Sequence, residues 1–195
     1  MCTSAEPSEL CRGHLPGDLA MWFFILAELS VFAILILAFA VTQALRPQMF
    51  SDSRQLLATS TGLAMTLSLI TAGLFAALAQ ERIRRSRPRH GAVFLLLALL
   101  AASVYVVLKV TEYRHLLASG LGMEHNTFFT LYWILTGFHF LHVLLGMFIL
   151  GWLAERCRRG LYDAANHNGF ECGVLYWHMV DLVWVVLFPL VYVLN

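Results

Sequence analysis

The sequence predicts an all-α membrane protein built as a five-transmembrane-helix bundle, and three observations carry that prediction. Of its 195 residues, 59% are hydrophobic and 13% charged, against about 25% charged in soluble domains. Five apolar runs fall near 19–43, 57–79, 91–112, 127–153 and 173–194. Each is long enough to cross roughly 30 Å of hydrocarbon as a helix of about 20 residues. The interruptions between them are short and polar, which leaves no room for a soluble domain.

Residues 1–18 form a polar N-terminal tail, with Glu6, Glu9, Arg12 and Asp18 among Pro7 and Pro16. A signal peptide would need a basic start followed by an apolar run. The membrane domain is expected over 19–195. After the first run, Arg46-Pro47 and Ser51-Asp52-Ser53 read as a turn and a helix restart. The second interruption is the basic run from Glu81 to Arg89. The third holds Ser119-Gly120, Gly122, Glu124 and Asn126. The fourth holds Arg156, Arg158, Arg159, Gly160 and 163–168.

Charge placement predicts orientation. With the N-terminus in the cytoplasm, inner segments hold nine Lys/Arg residues and outer segments three, with Lys109 inside the third run. The C-terminus is then periplasmic. Cys2, Cys11, Cys157 and Cys172 make no CxxC pair, so neither a disulfide nor a zinc site is expected. No nucleic-acid partner is expected either. The small residues of the second run, and Gly137 and Gly146 in the fourth, predict close helix packing. Tryptophans near span ends read as interface anchors.

The informative residues are ionisable ones at membrane depth, each costing about 2.5–3.5 kcal/mol on translocon scales unless it faces the bundle interior. At about 1.5 Å per residue, Glu28 lies roughly 14 Å from the inner edge. On the same basis His142 lies about 16 Å, His139 about 21 Å, and His178 and Asp181 about 8 and 12 Å from it. Glu28, His142, Asp181 and His178 thus occupy similar depths, and with His139 they form the expected intramembrane polar core. His178 and Asp181 stand one turn apart on one helix face. Lys109 and Glu112 form a second expected pair, an outer intrahelical ion pair with Lys109 snorkelling outward. The inner group admits three readings: metal or haem ligands, a proton relay, or interhelical hydrogen bonds worth about 0.6–2 kcal/mol each. Two of the histidines share one helix, which disfavours the first. Few polar groups continue outward, which disfavours independent transport. Glu28 fits the third reading least, because only Ser30 lies near it on its own helix.

Four stretches, in order, resemble subunit III of the haem-copper oxidases. MWFFILAELSVF, Met21 to Phe32, resembles the helix that carries the family's carbodiimide-reactive glutamate, which the resemblance places at Glu28. Thr111-Glu112-Tyr113 resembles its xEY element. Thr136-Gly137-Phe138-His139 with His142 and Gly146 resembles its TGFHGLHVxxG element. Gly169-Phe170-Glu171 with Tyr176-Trp177-His178, Asp181, Val183 and Trp184 resembles GFE…YWHxVDxVW. Together they span 19–194. The resemblance implies a non-catalytic subunit without haem or copper of its own, with metal only in the partner, and with no catalytic or metal-binding residue here. It implies packing against a haem-bearing catalytic subunit and against membrane lipid, in a bacterial inner membrane. Structural phospholipid is the one bound group it allows, with Arg156, Arg159 and His167 as headgroup candidates.

Long family members have seven helices, with a lipid-holding cleft between the first two and the rest, and this chain resembles only the last five. PGDLAMW, RPQMF and LKxxEY resemble the short accessory proteins encoded with bacterial nitric oxide reductase. The sequence therefore points first to an accessory subunit of nitric oxide reductase, supporting its assembly, stability and sustained activity. Subunit III of a quinol or cytochrome c oxidase, paired with oxidase subunit I, is the alternative. An independent proton or solute transporter is the second.

Overall fold

The computed structural model describes residues 19–85, 87–160, 162 and 168–194. The expected N-terminal tail and His167 lie outside the described residues. Helix α1 runs Leu19–Leu45, α2 Pro47–Arg54, α3 Thr59–Arg84, α4 Pro88–Ala118, α5 Thr127–Arg158 and α6 Asn168–Phe188. A π turn, Pro189–Val193, completes α6. Five of these helices are long and apolar enough to cross a membrane; α2 is the short exception. The helices differ from the apolar runs by a few residues at their ends, and the last turns of α3 and α5 carry arginines, Arg82 and Arg84 in one and Arg156 and Arg158 in the other.

Local chemistry sets the ends. Pro47 and Pro88 open α2 and α4 at the first helical turn, where a missing N–H costs nothing. Asn126 caps α5, its side-chain oxygen accepting from the Phe129 N–H at 3.0 Å. At the end of α4, Gly120 takes φ +74°. Leu121 N–H bonds Leu116 O at 2.9 Å and Gly120 N–H bonds Leu117 O at 3.1 Å, a Schellman closure that favours glycine. In the π turn, Pro189 has no N–H to give, and Leu194 N–H reaches back five residues to Pro189 O at 2.8 Å.

Helix α3 packs most extensively on α4, and α6 packs on α3, α5 and α1. Ala72, Ala76, Ala79, Ala98 and Ala102 are fully buried, letting the backbones approach closely. Gly146 does the same for α5 and α6, since a Cβ there would meet Trp177 Cε3 at 2.9 Å. Gly137, expected to act likewise, has no atom within 4 Å of a built Cβ, so that expectation fails. Phe39, Phe50 and Phe128 pack edge-on with centroids 5.1–5.8 Å apart, clamping α2 onto α1 and α5. The outward faces are apolar, with Phe23, Ile34, Leu100, Val107 and Phe148 largely exposed. Trp177, near the start of its span, departs from the anchor role, and both it and the mid-span Trp184 are completely buried. Trp184 donates to Thr66 Oγ1 at 3.0 Å.

Candidate functional site

The interior polar residues sort into three places. At the first, Glu28 of α1 meets His142 of α5, with Oε2 3.0 Å from Nε2. The other imidazole nitrogen, Nδ1, lies 2.8 Å from Phe138 O one turn back on its own helix. An imidazole has one ring hydrogen when neutral and two when charged, so a carbonyl at Nδ1 fixes that nitrogen as donor. Phe32 covers the pair, its ring 5.2 Å from that of His142. The partner that Glu28 lacks on its own helix is thus supplied by α5.

The second place is the seam between α3 and α6. His178 and Asp181 are half-buried there against Gly73. A Cβ at Gly73 would overlap Asp181 Oδ2, at 2.5 Å, and lie 3.6 Å from His178 Nδ1. Asp181 Oδ1 is shut in without a hydrogen bond. Among the described residues no hydrogen bond or ion pair joins this pair to Glu28 and His142, so the single polar core expected from shared depth is divided between two helix seams. Depth along a helix says nothing about which face a residue takes around it. His139 stands apart again. It is fully buried, stacked on Trp184 at 5.1 Å and edged by Tyr105 at 6.1 Å, and neither ring nitrogen has a hydrogen-bond partner.

The third place is a hub near the Gly120 end of α4. Lys109 Nζ lies 2.7 Å from Glu112 Oε2, 3.0 Å from Tyr132 OH and 3.1 Å from Tyr192 OH. An ammonium has three donors, and all three find acceptors. Tyr132 then donates to Glu112 Oε2 at 2.8 Å and Tyr192 to Glu112 Oε1 at 2.8 Å. The snorkelling expected of Lys109 is overturned: its side chain has no exposed surface. The side chain turns inward because tyrosines from α5 and the π turn offer it a complete shell there.

Two arginines missed as site residues link elements. Arg54 donates Nε to Val191 O at 3.0 Å and Nη2 to Leu190 O at 3.2 Å, capping carbonyls of the π turn. Burial pulls its pKa below the ordinary arginine value. At the other end, Arg84 Nη2 donates to Glu171 Oε1 at 2.8 Å, joining α3 to α6. Of the headgroup candidates, Arg159 is paired with Glu155 at 2.8 Å. Arg156 lies over the Trp152 and Tyr162 rings at 4.8 and 5.1 Å. Burial pushes the Tyr162 phenol up.

Among the described residues, no group of three or more His, Cys, Asp or Glu side chains is placed to hold a metal ion; Glu112 and His115, one turn apart on α4, belong to none. The fold and these sites define a multi-pass helical membrane protein whose polar residues tie its helices together. The family model for cytochrome c oxidase subunit III matches residues 16–195, and the chain belongs to that family. It is 30% identical to cytochrome c oxidase subunit 3 of Synechocystis over all of this chain and 88% of that one. It is 28% identical to quinol oxidase subunit 3 of Bacillus spizizenii, covering 91% and 86% of the two chains. A 94-residue stretch is 39% identical to the Thermostichus vulcanus cytochrome c oxidase subunit 3, covering 48% and 45% of the two chains. Subunit III of these oxidases is non-catalytic and has no redox cofactor of its own. The expected link to nitric oxide reductase finds no support in these relatives.

Proposed function

We propose that this chain is subunit III of a terminal oxidase that uses a quinol or cytochrome c, replacing the nitric oxide reductase assignment suggested by PGDLAMW, RPQMF and LKxxEY. The observation that carries the reading is similarity across all five spans to subunit III of cytochrome c and quinol oxidases. In this reading the chain sits in the bacterial inner membrane with its N-terminus in the cytoplasm, as the nine-to-three arginine and lysine asymmetry favours. It covers one side of the haem-bearing subunit I and keeps that subunit competent through many turnovers. Glu28 and His142 hold α1 to α5, and the Lys109 hub holds α4, α5 and the end of α6. Structural phospholipid is part of the proposal, with Arg156 and Arg159 at the end of α5 as the candidates to meet its phosphate, as the family resemblance implies.

The test is deletion of the chain from its native host, followed by oxygen consumption of the isolated membranes with quinol and with reduced cytochrome c. The reading expects an unchanged haem spectrum, a normal initial rate and a rate that then decays faster than in wild type. Unaltered oxygen consumption together with lost nitric oxide consumption would return the assignment to nitric oxide reductase.

A further inference from the structure

We infer that the α3–α6 seam around Asp181 is the face that docks the partner subunit, and that its occupant is a transmembrane helix presenting a hydrogen-bond donor to the Asp181 carboxylate. The inference rests on the reading of the chain as an oxidase subunit, and adds the face and the chemistry of contact.

Three observations lead there. The first is what the residues lack. Asp181 Oδ1 is enclosed with no hydrogen bond, and no other described residue hydrogen-bonds either the Asp181 or the His178 side chain. The other carboxylates at membrane depth are treated differently: Glu28 has His142, and Glu112 has Lys109 and two tyrosines. An unpaired polar group in hydrocarbon costs several kcal/mol, so a carboxylate left open in this way calls for a partner.

The second observation is where the carboxylate opens. Both residues are only half-buried, and the adjacent Leu182 and Val185, one turn beyond Asp181, are 60% and 45% exposed. Across the seam Gly73 offers no side chain, with Asp181 Oδ2 packed against it. Ile70 and Ala77, one turn to either side of Gly73, are exposed. Gly73 and Ala77 leave little side-chain bulk on the α3 side of the carboxylate, which lets a neighbouring helix come close.

The third observation is depth, which selects the occupant. Asp181 stands 13 residues from one end of α6 and 12 from the end of the π turn that completes it, at least about 12 Å inside the apolar run by helix rise, and Gly73 is near the middle of α3. Lipid headgroups do not reach that level, and acyl chains there have no donor to offer. A helix carrying serine, threonine, asparagine, tryptophan or arginine does. The seam therefore fits protein and not lipid.

The experiment places a photo-crosslinking amino acid at Leu182, and separately at Leu100 on the exposed face of α4, in the tagged full-length chain expressed in its native host. Complexes are irradiated in membranes and purified. The inference expects the Leu182 probe to join the haem-bearing subunit at least ten-fold more than the Leu100 probe. Asp181→Leu should lower co-purified haem by ten-fold or more, while Asp181→Asn, which keeps an acceptor, retains most of it. If Asp181→Leu fails to accumulate, the Leu182 crosslink in the otherwise wild-type chain still decides. A wild-type complex crosslinked through Leu100 and not Leu182 overturns the docking face and leaves the oxidase reading intact. Crosslinks from Leu182 to a second copy of the chain, or to lipid alone, overturn it as well. A wild-type chain that brings down no haem protein overturns both.

Discussion

Lys109 and Glu112 meet at 2.7 Å with the lysine wholly enclosed and the carboxylate 9% exposed, and every donor of the ammonium is used. The i,i+3 spacing on α4 brings the two together. What keeps them inside is the pair of hydroxyls from Tyr132 and Tyr192, which arrive from 23 and 83 residues further along the chain than Lys109. A closed network of this kind has no spare group, so removing one member strands the others.

Lys109→Met is therefore expected to cost about 3–5 kcal/mol, because it leaves Glu112 as an uncompensated buried charge. Adding Glu112→Gln should recover most of the loss. Thermal unfolding in mild detergent, arranged as a double-mutant cycle, checks this. A double variant no more stable than Lys109→Met alone would remove the ion pair from the account.

Arg54 holds two carbonyls at the end of the chain. Arg54→Leu is expected to lose about 1.5–3 kcal/mol, the range for hydrogen bonds to a charged group. Arg54→Lys should recover only part, since an ammonium cannot match a planar fork. Hydrogen exchange at residues 190–194 reports the effect directly, and equal protection in all three proteins would contradict it.

Two glycines on α5 should answer oppositely to alanine. Gly137→Ala adds a methyl in open space and should be neutral or stabilising by up to about 1 kcal/mol. Gly146→Ala forces its methyl against the buried Trp177 ring, 2.9 Å away, and should cost about 1–3 kcal/mol. Melting temperatures of the two variants in one detergent compare them.

Glu28→Leu leaves His142 Nε2 without its carboxylate, and is expected to cost about 0.5–2 kcal/mol in holding α1 to the bundle. Glu28→Gln retains an acceptor and should lose less. Neither should alter the haem absorption of an intact complex, and a spectral change in either would mean that Glu28 acts on the haem site.

The five spans were legible because hydrocarbon thickness translates directly into run length, and the Lys109–Glu112 pairing because three residues is nearly one helical turn. What the sequence hid was azimuth. Glu28, His142 and Asp181 share a depth, yet Asp181 turns to the α3 seam and the other two to the α1–α5 seam. In a bilayer both faces of a helix are apolar, so hydrophobic periodicity does not mark the inward side. The same loss of contrast concealed the burial of Lys109, whose direction is decided by tyrosines distant in the chain. Arg54 looked like one more charge on an outer loop, and its role became visible only when the π turn placed two carbonyls beside it.

The central claim is attachment to a haem-bearing oxidase subunit, and purification of the tagged chain from its native membranes in mild detergent tests it most directly. Subunits in the eluate are identified and its optical spectrum recorded. The account predicts a subunit I-type oxidase protein in one-to-one ratio with the chain, and haem in stoichiometric amount. A colourless eluate holding this chain alone would contradict it.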